Sequence, residues 1–161
     1  MDRELEQWAK RVAERLLLEQ AVLVTAESCT GGWVAKVMTD LPGSSGFFDR
    51  GFVTYSNEAK QEMLEVSGET LEQRGAVSDA VVREMVTGAL NHSRASVALS
   101  VSGIAGPGGG SEGKPVGTVC FAWGDREGGM VSRHCCFEGD REAVRRQAVI
   151  QALQGVLDLL G

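Results

Sequence analysis

Ala21-Val22-Leu23-Val24-Thr25 runs without a break into Ala26-Glu27-Ser28-Cys29-Thr30-Gly31-Gly32, and a helix-like segment follows from Trp33 to about Asp40. A short, apolar, β-rich run of this kind reads as a strand buried on both faces, the mark of a parallel sheet covered by helices. The serine and glycines that follow read as a tight turn at the carboxyl end of that strand, where open α/β sheets bind their ligands.

The flanking segments agree. Before the strand, Leu5, Trp8, Ala9, Val12 and Leu16 recur at helical spacing over residues 3–19. After it, Leu41 to Gly46 reads as a loop, Phe47 to Tyr55 as a second strand and Asn57 to Leu64 as a short helix. Val81, Val82, Met85, Val86, Ala89 and Leu90 form a helical stripe with Ser78 as its N-cap. Ser96 to Val101 predicts a strand that breaks in Gly103-Ile104-Ala105-Gly106-Pro107-Gly108-Gly109-Gly110. Gly117 to Trp123 and Met130 to Phe137 predict a hairpin, and Asp140 caps a last helix carrying Val144, Ala148, Leu153, Val156 and Leu160. Alternating elements followed by a hairpin predict one α/β domain over residues 1–161, with a mixed, mostly parallel central sheet.

Composition narrows the function classes. The 161 residues carry 22 acidic and 16 basic side chains, a net charge of −6, which disfavours nucleic acid as the main partner. A local pocket for a small anion remains compatible with that balance. No apolar run approaches the ~20 residues of a membrane span, and the charged amino terminus is not a signal peptide. Cys29, Cys120, Cys135 and Cys136 lack Cys-x-x-Cys spacing, and two histidines supply a zinc site poorly. Read as free thiols, the cysteines place the chain in the cytoplasm.

Three stretches could carry chemistry. Ser28 could be a nucleophile, with N–H groups of Thr30, Gly31 and Gly32 as oxyanion donors; the same residues equally fit a helix cap packed on the sheet. A serine nucleophile needs a base, and His92 and His134 both sit in structural or surface contexts. Of the four lysines, Lys10, Lys36 and Lys114 read as exposed or loop residues. Lys60 follows the second strand through Thr54-Tyr55-Ser56-Asn57-Glu58-Ala59, so Lys60 and Tyr55, the single tyrosine, can face Ser28 if the two strands are neighbours. A desolvated lysine acts as a base and a tyrosine can relay a proton or position substrate, although a strand aromatic and a solvated lysine fit the spacing as well. The loop Gly103–Gly110 could form an anion nest but matches neither a Walker loop nor a dinucleotide fingerprint. Arg141 and Arg145, at the start of the last helix, could hold an anion or simply pair with Asp140 and Glu142.

Several stretches together resemble one family. They are Ala26 to Gly32, Pro42-Gly43-Ser44-Ser45, Val53 to Lys60, Gly75-Ala76-Val77-Ser78, Ser102 to Pro107, Lys114-Pro115-Val116-Gly117-Thr118-Val119 and Gly139-Asp140-Arg141. In this order they resemble the CinA C-terminal domain family in its stand-alone form, over nearly the whole chain. The resemblance implies a three-layer α/β/α sandwich and a nicotinamide-nucleotide amidase, which releases ammonia, leaves nicotinate mononucleotide and serves pyridine nucleotide recycling. It implies Ser28 as nucleophile and Tyr55 and Lys60 as its activating partners. Glu27, Thr30, Gly31 and Gly32, with Ser102, Gly103, Ile104, Ala105, Gly106 and Gly108, are then the substrate-binding surface, and Arg141 and Arg145 are candidates for the phosphate. No metal or organic cofactor is implied. The partner is a small nucleotide, with neither membrane nor nucleic acid, and a homodimer is the default assembly. Ser102 stands where the family commonly has threonine, which keeps the hydroxyl. Longer members carry a preceding domain, whose chemistry is not expected here. The competing readings are a pyridine-nucleotide sensor without turnover and a competence- or damage-linked partner-binding protein.

Overall fold

The computed structural model describes residues 2–161. Its sheet forms because five segments place apolar side chains on both faces. They are β1 (Leu23–Glu27), β2 (Phe48–Val53), β3 (Val97–Gly103), β4 (Thr118–Asp125) and β5 (Met130–Cys136), in the order β2-β1-β3-β4-β5. β1 pairs in parallel with both β2 and β3, and β3-β4-β5 continue antiparallel. Only β4 therefore runs against the other strands, so the mixed, mostly parallel expectation holds.

Strand periodicity divides the core in two. Leu23, Leu99, Val101, Phe121 and Trp123 face one side, beneath α1 (Arg3–Leu18), α2 (Trp33–Thr39) and α6 (Arg141–Leu160). Val24, Ala26, Ala98, Cys120 and Ala122 face the other, beneath α3 (Asn57–Leu64), α4 (Gly68–Arg74) and α5 (Asp79–Asn91). The result is the three-layer α/β/α sandwich. Among the described residues no helix is long and apolar enough to cross a membrane.

Local chemistry sets the element ends. Ser56, Ser67, Ser78 and Asp140 cap α3, α4, α5 and α6 by accepting backbone N–H groups through their side chains. β1 starts two residues later than the apolar run predicts. Ala21 donates to the Leu16 carbonyl to close α1, and the Val22 N–H goes to Ser96 Oγ rather than into the ladder. At its other end β1 extends to Glu27. α4 carries no apolar stripe of its own, only Leu71 being buried, so periodicity gave no sign of it.

Candidate active site

β1, β2 and β3 all point their carboxyl ends at one place, and Ser28 stands there. Its N–H donates to the Val101 carbonyl at 2.9 Å, tying it to the end of β3, and its side chain is buried. The chain then turns sharply. Gly31 donates to the Ser28 carbonyl, and Gly31 and Gly32 take φ of 60° and 98°, a left-handed pair that side chains with a Cβ resist.

Lys60 comes to Ser28 from α3. It is the largest fully buried side chain, 1% exposed, and its Nζ lies 2.9 Å from Ser28 Oγ. It also donates to the Thr54 carbonyl at 2.9 Å and the Tyr55 carbonyl at 3.2 Å. No carboxylate pairs with it among the described residues. Burial alone therefore favours the neutral amine and pulls the Lys60 pKa below its ordinary value, with the weak opposing influence of the Cys29 thiol. Its three oxygen neighbours match the three hydrogens of an ammonium, and loss of one proton leaves an amine with two hydrogens for the carbonyls and a lone pair for the Ser28 hydroxyl.

Tyr55 joins the site in two separate ways. Its carbonyl lies 3.3 Å from Ser28 Oγ and accepts from Lys60. Its phenol is at the rim, 62% exposed, and takes a hydrogen bond from Arg141 Nη2 at 3.3 Å rather than reaching Ser28 or Lys60. Arg141 Nη1 meanwhile donates to the Gly106 carbonyl at 2.8 Å. Ser28, Cys29, Tyr55, Lys60, Ser102, Gly103, Ala105 and Arg141 line one cavity of about 220 Å³, together with Asn57, Ala76 and Val77.

Other expected binding residues are placed differently. Glu27 is a correction: it is 1% exposed, and its carboxylate is spent inside the protein. Oε1 accepts from Thr30 Oγ1 at 2.6 Å and Val34 N–H at 2.9 Å, and Oε2 from Ala35 N–H at 3.0 Å. Burial pushes its pKa up while these donors pull it down. Glu27 therefore anchors the start of α2 and the Ser28 turn and is closed to substrate.

The side chains of this turn and of α6 are placed apart from Ser28: Thr30, Gly31, Gly32 and Arg145 line another cavity, of about 410 Å³, with Trp33, Lys36 and Glu142. Arg145 reaches the turn from behind, from Nε to the Cys29 carbonyl at 3.0 Å and from Nη2 to the Thr30 carbonyl at 3.3 Å, with its guanidinium over the Trp33 ring. Its donors hold the protein's own backbone and are not directed at the cavity beside Ser28. The Gly31 N–H is likewise committed, to Ser28, and the Gly32 N–H to Glu27, which leaves the N–H groups of Cys29 and Thr30 as the uncommitted donors of this turn. Ile104, Gly106 and Gly108 shape the neighbouring loop rather than the wall of the Ser28 cavity.

Sequence reading missed Asn57, Ala76 and Val77. Asn57 sat inside a motif already quoted, next to the Ser56 cap. Ala76 and Val77 likewise sat inside a quoted motif, Gly75 to Ser78, but as apolar residues they offered no chemistry of their own. Neither histidine approaches Ser28: His92 pairs with Glu65 at 2.7 Å, and His134 lies on β5. No cluster of three or more His, Cys, Asp or Glu among the described residues is placed to hold a metal.

With this geometry in view, comparison with known proteins is direct. A sequence profile of the CinA C-terminal domain matches residues 5–160. The chain belongs to the CinA C-terminal domain family. It is 60% identical over 153 residues to the nicotinamide-nucleotide amidohydrolase PncC of Escherichia coli K12, covering 95% of this chain and 93% of that one. It is 54% identical over 151 residues to the protein of the same description from Pseudomonas putida, covering 94% of each. The crystal structure of the competence/damage inducible protein CihA from Agrobacterium tumefaciens superposes with a TM-score of 0.95 at 43% identity, over 98% of this chain and 96% of that one.

Proposed function

We propose that this CinA-family domain is a nicotinamide-nucleotide amidase, hydrolysing nicotinamide mononucleotide to nicotinate mononucleotide and ammonia through a serine–lysine pair. The observation that carries the mechanism is the 2.9 Å contact between Lys60 Nζ and Ser28 Oγ, in a buried site that offers the lysine no carboxylate. The substrate comes from the PncC relatives, whose likeness spans nearly the whole length of both chains.

In this reading Lys60 is neutral and takes the Ser28 proton as Oγ attacks the carboxamide carbon. The carbonyl oxygen becomes an oxyanion facing the N–H groups of Cys29 and Thr30. Peptide planarity supports that direction. A trans peptide points its N–H opposite its C=O, so holding the Ser28 carbonyl on Gly31 and the Cys29 carbonyl on Arg145 turns those two N–H groups the other way. Each such donor contributes ~2.7–4 kcal/mol to lowering a barrier of this type. Lys60, now an ammonium, returns its proton to the amide nitrogen as the C–N bond breaks and ammonia leaves. Water then attacks the acyl-serine, giving one proton to Lys60 and on to Ser28 Oγ as the C–O bond to serine breaks, and the acid formed leaves as a carboxylate with its remaining proton lost to solvent.

Tyr55 serves this scheme at two points. Its carbonyl holds the lysine, and its phenol, braced by Arg141, positions substrate at the mouth of the cavity. The released nicotinate mononucleotide would re-enter pyridine nucleotide synthesis. The deciding experiment is ammonia release from nicotinamide mononucleotide by wild type beside Ser28→Ala and Lys60→Ala. Release by wild type that disappears in both variants is the expected result. Binding without release would make the domain a nucleotide sensor instead.

A further inference from the structure

The parallel ladders on both flanks of Ser28 stop one hydrogen bond short of where the strand register would take them. In a parallel ladder a residue donates its N–H to the carbonyl before its partner, and its own carbonyl accepts from the N–H after that partner. β1 and β2 are in register at Glu27 and Val53, so Ser28 stands opposite Thr54. One bond of that pair is formed: the Thr54 N–H donates to the Glu27 carbonyl at 2.8 Å. The other would run from the Cys29 N–H to the Thr54 carbonyl. Lys60 Nζ takes that carbonyl instead, at 2.9 Å.

The Cys29 N–H lies on the side where its strand partner would be. Ser28 bonds β3 through its own N–H, to the Val101 carbonyl at 2.9 Å, and strand alternation sends the next N–H toward β2. The Ser28 carbonyl is turned to Gly31, and a trans peptide directs the following N–H the opposite way. The donor and its natural acceptor are thus one strand spacing apart, with a lysine on the acceptor.

We propose that Lys60 is a positioning residue as well as the base: by holding the Thr54 carbonyl it keeps the β1–β2 ladder from closing, and so leaves the Cys29 N–H free for the oxyanion. The use made of that N–H rests on the amidase reading; the open ladder does not. Burial makes the arrangement consequential. Thr54 and Lys60 are both fully buried, so solvent cannot serve the Thr54 carbonyl, and an unpaired buried acceptor is costly. Without the lysine, the donor in register to satisfy it is the Cys29 N–H.

The β3 flank is opened by a different device. There the register calls for a bond from the Gly103 N–H to the Ser28 carbonyl, but that carbonyl accepts from Gly31. The left-handed glycine turn makes this opening and needs no lysine. The Gly103 N–H is therefore an internal reference for effects confined to Lys60.

Amide hydrogen exchange, read residue by residue by NMR, tests this without substrate. In the wild type the Cys29 N–H is expected to exchange about tenfold faster than the Thr54 N–H, which is bonded to Glu27 in the same ladder. Lys60→Met keeps a long apolar stem and removes the donors. It is expected to slow Cys29 exchange by about tenfold and to leave Gly103 unchanged. Ser28→Ala, with the lysine in place, is expected to keep Cys29 exchange fast. Equal Cys29 rates in wild type and Lys60→Met would overturn the proposal, as would slow exchange in Ser28→Ala or an equal slowing at Gly103. So would a wild-type Cys29 N–H as protected as that of Thr54, an outcome that needs no variant to fold. Ammonia release by the wild type is scored separately. A protein that releases none but shows the Lys60-dependent exchange keeps the open ladder and loses the amidase reading.

Discussion

Arg145 Nε donates to the carbonyl oxygen of Cys29 at 3.0 Å, from the face of the turn opposite the Ser28 hydroxyl. The arginine touches no reacting atom in this arrangement, yet it fixes which way the peptide between Cys29 and Thr30 faces. Arg145→Ala is expected to lower kcat by about tenfold to a hundredfold with little change in KM, as for loss of donors used in the transition state. Arg145→Lys is expected to restore little, because a single ammonium cannot hold two carbonyls in a planar fork. Steady-state kinetics on nicotinamide mononucleotide checks this, and a rise in KM alone would mean that Arg145 binds substrate directly.

The chemistry should depend on pH through Lys60. Its pKa is lowered by burial, so kcat/KM is expected to rise with pH along a limb set by Lys60 deprotonation, lying below the lysine's ordinary 10.5. Stability should move in the same direction. Between the folded pKa and 10.5 the unfolded chain binds a proton that the native one does not, so stability rises with pH through that window. Melting curves against pH for wild type and Lys60→Met check both the slope and its source, since the methionine variant should lose this rise.

Ser28→Ala and Lys60→Ala are each expected to reduce ammonia release at least about a thousandfold, and the double variant to cost little more, because the two groups act as one unit. Additive losses in this comparison would separate their roles.

Tyr55→Phe keeps the carbonyl that holds Lys60 and removes only the phenol that Arg141 braces. It is expected to raise KM a few-fold and to leave kcat within about threefold of wild type. A kcat loss of a hundredfold would instead make the phenol a proton relay.

Glu27→Gln replaces an acceptor of three hydrogen bonds with a group that must offer hydrogens to some of the same donors. The expected cost is about 1–3 kcal/mol, read as a shift in the denaturant midpoint. An unchanged midpoint would show that the carboxylate does not anchor α2.

The sequence by itself determined the layers. Alternating strand and helix patterns gave an α/β sandwich, because burial on two faces leaves a period that a single chain displays. Ser28, Tyr55 and Lys60 were legible as candidates through the ordered motifs of the family, since local spacing alone fitted a helix cap, a strand aromatic and a solvated lysine as well. What only the tertiary structure decided is direction. Glu27 and Arg145 are charged residues beside Ser28, and spacing cannot say which side of a turn a side chain approaches. Burial sends Glu27 inward to the start of α2, and the packing of α6 beside α2 brings Arg145 behind the turn. Sheet order joins residues far apart in sequence at strand-spacing distances, and no local pattern encodes that order.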